Sequence, residues 1–264
     1  MSDYRLFKSD FDLAEAQKQG FRFGARGTHT SRTVMIDDLT TILAVTDAHA
    51  SREDYATAII DDNCLGKQTV STRRLSRQRI AELYSLDPAV PLFAALRYAW
   101  EIDREGRPLL AFLCALARDP MLAATIPSVL PLAPSAEFRR DDMRFSVRQA
   151  VGERLSDSIL DKVVRNAGSS WTQSGHLQGR TFKRRQRVQP TPGTVAYALY
   201  LAHIAGFRGK HLFSSGWVAL LDCSPSLAQD LALEAKRMQL LDLRISGDVI
   251  AIRFPQMDPA YTGE

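Results

Sequence analysis

Cysteine is scarce, long apolar runs are missing, and no recognisable catalytic or ligand spacing is present. Only three cysteines, Cys64, Cys114 and Cys223, occur in 264 residues, far apart and without a CxxC pair. They cannot all pair with one another, which excludes a disulfide framework and fits a reducing cytoplasm better than secretion. The longest purely apolar run, LLAFLCALA from Leu109, is about half of the roughly 20 residues a bilayer span needs. It reads as a buried core helix. The N-terminal MSDYRLFKSDFDLAEAQ alternates charged and apolar residues and lacks the apolar middle of a signal peptide. A soluble, cytoplasmic protein with no membrane association is expected.

The five histidines, His29, His49, His176, His203 and His211, form no HExxH or comparable spacing, and no cysteine stands close enough to complete a zinc site. They read as surface or core residues. LGKQT around Gly66 is similar to the end of a phosphate loop, but Asp61 stands where the first glycine belongs and no apolar strand precedes it. FSSGW around Ser215 lacks the GxSxG frame, so its serines read as a helix cap. Glu101 and Asp103 read as part of a solvated helix face, and Tyr197, Tyr200 and His203 as one packed side of a core helix. A non-enzymatic protein with no metal and no cofactor is the expectation.

What remains is basic charge in two clusters. A net charge of +4 says little by itself, because only a local field holds a polyanion. Starting at Asn63, NCLGKQTVSTRRLSRQRIAELYSLDP places Lys67, Arg73, Arg74, Arg77 and Arg79 before the first acid, Glu82. HLQGRTFKRRQRVQPTPG, from His176, adds Arg180, Lys183, Arg184, Arg185 and Arg187.

Periodicity places both clusters on a scaffold. Ile36, Leu39, Ile42 and Leu43 predict a first helix, and Ser51 with Asp54 a capping-box start to a second. Thr69 or Ser71 can cap a third, which ends at Asp87-Pro88. Three short helices with tight turns have a helix-turn-helix layout. On the third, Leu75, Ile80, Leu83, Tyr84 and Leu86 fill one half, and Ser71, Arg74, Arg77 and Gln78 the other. Arg73 sits at the border and Arg79 inside the apolar arc.

Helical patterns follow at PLFAALRYAWEIDREG and PLLAFLCALARD, and then IPSVLPLAP from Ile126 marks a break. FSVRQAVGERL and DSILDKVVRNAGSSW, the latter capped by Ser156 with Ile159, Val163 and Ala167 on one face, lead into the second basic cluster. That cluster reads as a hairpin wing, pinned to the body by Phe182 and Val188. Thr191-Pro192 starts another helix, and two strands around Ser246-Gly247-Asp248 close the chain. The fold class is mainly α: a multi-helix protein with helix-turn-helix and winged-helix elements and short β-hairpin wings. The units are an arm at 1–30, a helix-turn-helix at 31–88, central helices at 89–133, a winged-helix-like unit at 134–190 and a C-terminal helical unit at 191–264 ending in a hairpin.

SREDYATAIIDDNCLGKQTVSTRRLSRQRIAELYSLD resembles the N-terminal signature of the BrxA family of bacterial BREX (bacteriophage exclusion) systems, through Asn63, Leu65, Lys67, Ser71, Thr72, Arg73 and Arg74. GTHTSRTVMIDDLTTILA and LSDSILDKVVRNAGSSWTQSGHL look like further parts of it, so the resemblance covers roughly residues 28–190. The C-terminal part is longer than is typical of the family. The resemblance implies a mostly helical, non-enzymatic DNA-binding component of a phage-defence operon, working beside a methyltransferase, ATPases and a phosphatase-like partner. Family members are catalogued as putative inner-membrane proteins, which the short apolar runs here argue against.

The expected partner is therefore double-stranded DNA. Candidate contacts are Lys67, Ser71, Thr72, Arg73, Arg74, Arg77 and Gln78 on the third helix, and Arg180, Lys183, Arg184, Arg185 and Arg187 on the wing. Phosphate contacts would dominate, and arginine and glutamine could add base readout. Alternatives are a dimeric helix-turn-helix transcriptional regulator and an adaptor that binds acidic proteins. RNA is disfavoured, because no aromatic stacking platform is visible. The C-terminal unit, whose third helix carries Gln229, Asp230 and Glu234, is expected to pack on protein.

Overall fold

The order of elements is α1 (Leu13–Lys18), α2 (Ile36–Val45), α3 (Arg52–Ile60), α4 (Val70–Tyr84), α5 (Pro91–Ile102), α6 (Arg107–Arg118), α7 (Pro120–Ala123), α8 (Ile126–Val129), α9 (Arg140–Val151), α10 (Asp157–Gln173), β1 (Leu177–Gln178), β2 (Arg184–Arg185), α11 (Pro192–Ile204), α12 (Gly216–Ala219), α13 (Pro225–Arg237), β3 (Asp242–Ser246) and β4 (Val249–Arg253). Side-chain caps start α1, α3, α4, α7, α10, α11, α12 and α13, and Pro at the first turn starts α5, α6 and α8. The computed structural model describes residues 5–8, 11–24, 26–247 and 249–257; part of the expected arm and the turn residue Asp248 lie outside them.

Ser51 and Asp54 close a capping box on α3, Thr69 accepts from the Thr72 N–H on α4, and Ser156 from the Ile159 N–H on α10. Three short helices lie where none was expected. One is α1, inside the arm. Another is α7, which Pro120 starts directly after α6. The third is α8, inside the Pro-rich stretch, where Pro127 occupies the first turn and its missing N–H costs nothing.

A single continuous apolar core runs from Ala16 to Met257. At its centre, α6 is buried from Leu109 through Arg118 and packs against α4, α5 and α11. The apolar run in α6 thus meets protein on every side, and no single described helix is long and apolar enough to cross a membrane. The five sequence units share this core rather than each building its own. Asp103 helps join them, and it is not on a solvated face. Buried, it accepts from Thr191 Oγ1 at 2.5 Å, the Gly193 N–H at 2.8 Å and the Gly106 N–H at 2.9 Å, locking the α5–α6 turn onto the positive end of α11. Gly193 is needed for this, since a Cβ there would stand 2.4 Å from the carboxylate.

Around α9 and α10 the chain forms a small two-stranded hairpin with an isolated bridge beside it. β1 and β2 pair antiparallel with Leu177 opposite Arg185, and Glu137 bridges to Arg184. Residues 135–138 bond along the outer side of β2, including Arg185 N–H to Ala136 O at 2.9 Å and Phe138 N–H to Lys183 O at 2.9 Å. The order here is bridge, helix, helix, hairpin. The C-terminal unit ends in β3–β4, paired from Asp242–Arg253 to Ser246–Val249.

Candidate nucleic-acid interface

α4 sorts the first basic cluster by direction. Ile80, Leu83, Tyr84 and Ser76 are buried, so the opposite side shows Ser71, Arg74, Leu75 and Gln78 to solvent. Leu75 is 40% exposed and belongs to this outer face, not to the apolar half where periodicity placed it. The buried arc is narrower than half a turn, with the small Ser76 at its edge.

Two of the candidates turn inward. Arg73 donates from Nη1 to Ile60 O at 3.0 Å and from Nε to Lys67 O at 3.2 Å. Its cation thereby satisfies the carbonyl end of α3, where positive charge is favoured. Lys67 pairs with Asp38 at 3.1 Å. Thr72 shares its hydroxyl with the Thr69 cap at 2.8 Å, and Gln78 donates to Glu82 at 3.1 Å. Arg79, inside the expected apolar arc, pairs with Glu82 at 2.9 Å. Burial opposes charge on Glu82, but hydrogen bonds from Arg79, Thr28 and Gln78 outweigh it and hold the carboxyl below its ordinary value. Arg74 and Arg77 have no hydrogen-bond or ion-pair partner among the described residues.

α10 supplies a second face that the sequence reading did not assign. Leu160, Val163, Val164, Ala167 and Trp171 are buried, leaving Ser158, Lys162, Arg165 and Gln173 exposed. Ile159, expected on the core face, is 37% exposed. The acids of the first two turns are neutralised from α9: Arg144 pairs with Asp157 at 2.8 Å and also with Asp161, and Arg148 with Asp157 at 2.7 Å. Lys162 and Arg165 have no partner among the described residues. Applying the same helical period to the polar residues of 157–173 would have exposed this face.

The N-terminal segment ties α4 to α10. Arg22 donates to Glu82 O at 3.0 Å and Thr28 to the Glu82 carboxylate at 2.9 Å, both on α4. Asn166 of α10 donates to His29 O at 2.9 Å. His29 itself joins Asp119 through Nδ1 at 2.8 Å and Ser170 through Nε2 at 2.8 Å. Serine, histidine and aspartate in that order have the residue types of a hydrolytic triad, but all three are at most 1% exposed. Ser170 Oγ also receives the Val34 N–H at 2.9 Å. The arrangement pins the segment against the body and offers solvent no nucleophile. Burial works against the Asp119 charge, yet His29 beside it holds that carboxyl below the usual range.

Two clefts flank this seam. One, of about 440 Å³, is lined by Lys67, Thr72 and Ser76 of the first unit and Gln173 of α10. The other, of about 620 Å³, lies between Gln78, Arg79 and Glu82 on α4 and Leu155, Ile159 and Lys162 at the head of α10, with Arg22 and Arg26 beside them. The two helices therefore run past each other in opposite directions, each with a cationic outer face.

The wing divides the second cluster. Arg185 is 3% exposed, ion-paired with Asp222 and donating to His176 O at 3.3 Å. It anchors the hairpin to the C-terminal unit and is removed from the candidate contacts. The strand pleat sends its neighbour Arg184 outward, where Nη1 reaches Ser135 O at 3.0 Å. Lys183 donates to Thr172 Oγ1 at 2.7 Å and Gly179 O at 3.0 Å. Partial burial and the nearby Arg140 cation lower its pKa, so cations crowd at the base of the wing. Arg180 and Arg187 are exposed with no partner among the described residues. Val188 is buried as expected, but Phe182 is 77% exposed and pins nothing.

No protein-family model matches the chain, and no curated protein is significantly similar to it. The chemistry of the surface must therefore carry the reading. Among the described residues no group of three or more His, Cys, Asp or Glu could hold a metal ion. The cysteines are free, and burial pushes Cys114 up to about 12 and Cys223 to about 11, away from thiolate chemistry. On α13, Leu227 and Leu233 are exposed beside Asp230 and Glu234, a surface without cationic excess.

Proposed function

We propose that this protein is a non-enzymatic binder of duplex DNA that docks α4, α10 and the β1–β2 wing along one polyanionic double strand. The observation that carries the reading is the set of unpaired cations. Among the described residues, Arg74, Arg77, Lys162, Arg165, Arg180 and Arg187 stand without an ion-pair partner, while Glu82 on α4 and Asp157 and Asp161 on α10 are already paired. Bridge, helix, helix and hairpin is the order of a winged helix, in which α10 would be the recognition helix and the wing would lie along phosphates. Ser71, Arg74 and Gln78 give α4 donors suited to base edges. Binding without base readout should sit near roughly 10⁻⁴ to 10⁻⁶ M at physiological salt and weaken steeply as salt rises.

The test is a gel shift at low salt with Arg74 and Arg77 reversed to glutamate. Loss of binding is the expected outcome. Retention by the wild type of no DNA at all would overturn the reading and favour an adaptor for acidic proteins, in which Leu227, Leu233 and the C-terminal hairpin also face partners.

We further propose, on the resemblance at residues 28–190 alone, that the protein serves a BREX-like phage-defence system in the cytoplasm beside a methyltransferase and an ATPase. Phage plating on cells with and without the gene, and with the Arg74→Glu, Arg77→Glu variant in its place, tests this. Equal plating efficiencies in all three would sink it.

A further inference from the structure

A large apolar side chain held out in water forgoes about 25 cal/mol for each Å² left exposed, and it gains a use when its neighbours suit one partner. Phe182, at 77%, is the most exposed of the large apolar side chains described. It stands at the tip of the β1–β2 hairpin, between residues that are tied to the body. Gly179 turns the chain with φ of +112°, and a Cβ there would meet Phe182 O at 2.1 Å, so the backbone closes tightly across the turn. Lys183, the next residue, is fixed from both ends by its bonds to Thr172 and Gly179 and by Phe138 N–H on its carbonyl. Below, Arg185 with Asp222, His176 Nε2 on Leu220 O at 2.7 Å and buried Val188 fasten the stem to the body.

The surroundings select the occupant. Arg180 and Arg187 are exposed and unpaired, and Arg184 spends its guanidinium on a carbonyl, not a carboxylate. An apolar protein groove would have to accept these cations as well as the ring. A nucleic acid offers both what the cations need, in its phosphates, and what the ring needs, in the faces of its bases.

Resting on the DNA-binding reading above, we propose that Phe182 is a wedge which the wing inserts from the minor groove between neighbouring base pairs, kinking the duplex. Apolar wedges of this kind unstack one step and bend the helix toward the major groove. Pyrimidine–purine steps unstack most easily. The wing would therefore favour TA and CA steps without hydrogen-bonding their edges.

The experiment measures end-to-end energy transfer in a doubly labelled duplex carrying a central TA step, at low salt and saturating protein. Wild type, Phe182→Ala and Phe182→Trp are compared, with melting temperatures as a folding control. Wild type and Phe182→Trp should bend the duplex. Phe182→Ala should leave it straight and bind about tenfold more weakly, the size of one lost base-aromatic contact. Its salt slope should not change, because the slope counts phosphates. Equal bending by wild type and Phe182→Ala, or binding by wild type without bending, overturns the wedge while leaving DNA binding intact. Failure of wild type to bind any duplex removes the DNA reading itself. A dimer of the wild type that Phe182→Ala dissolves, with bending unaltered, would assign the ring to a protein contact instead.

Discussion

Arg184 and Arg185 are adjacent in sequence and opposite in consequence. The pleat turns one to solvent and the other onto Asp222. Arg185→Ala leaves the largely buried Asp222 carboxylate without its counter-ion, with only the Val188 N–H still on it, and should cost up to about 3 kcal/mol, read as a lower urea midpoint, with the DNA salt slope unchanged. Arg180→Ala should do the reverse, leaving the midpoint alone and flattening the slope by about 0.9 for the phosphate it no longer neutralises. Buried histidines add a pH dependence. Burial pushes His176 down to about 4 from 6.5, and His203 likewise to about 4. Between those values the unfolded chain takes up protons that the folded one refuses, so stability falls as pH drops from 6.5 toward 4. Asp119, held below the ordinary carboxylate value of 3.8, adds stability that is whole above that value and lost at still lower pH. Urea midpoints at pH 7 and pH 5 check this, and His176→Gln should lessen the drop between them.

At the scale of elements, caps and periods were legible in the chain. Thr69, Ser51, Ser156 and Thr191 cap helices as their spacing with the residues that follow implies, and Thr69→Ala should cost about 1 kcal/mol of stability. The direction of each side chain was legible only to the resolution of a helical wheel. Arg73 lies at the border of that wheel, and the nearby end of α3 decided that it turns inward. The outer face of α10 was hidden for a different reason. Asp157 and Asp161 dilute its charge in sequence, and only the approach of Arg144 and Arg148 from α9 neutralises them. Reversing Lys162 and Arg165 to glutamate should weaken DNA retention, as is expected of reversal on α4; unchanged retention would remove α10 and leave docking to α4 and the wing. In the wing, Gly179→Ala should break the tip, and faster tryptic cleavage after Arg180 or Lys183 with an unchanged melting temperature would report it.

Over the whole molecule, the shared core makes the five sequence units one folding problem. Trp100, Trp171 and Trp217 are all fully buried, in the central, winged-helix-like and C-terminal units respectively. Their fluorescence and the far-ultraviolet signal should change together in a single urea transition; separated midpoints would show that the units unfold independently. The same continuity presents α4 and α10 as a fixed pair, held by Thr28, His29 and Asn166. The sequence by itself determined the helical class, the caps, the terminal hairpin and the two stretches of cationic charge, because each depends on neighbours within a few residues. Tertiary structure alone decided which cations are free. Whether a cation meets a carboxylate depends on residues far along the chain, such as Asp222 for Arg185 and Asp38 for Lys67, and only folding brings such partners within reach.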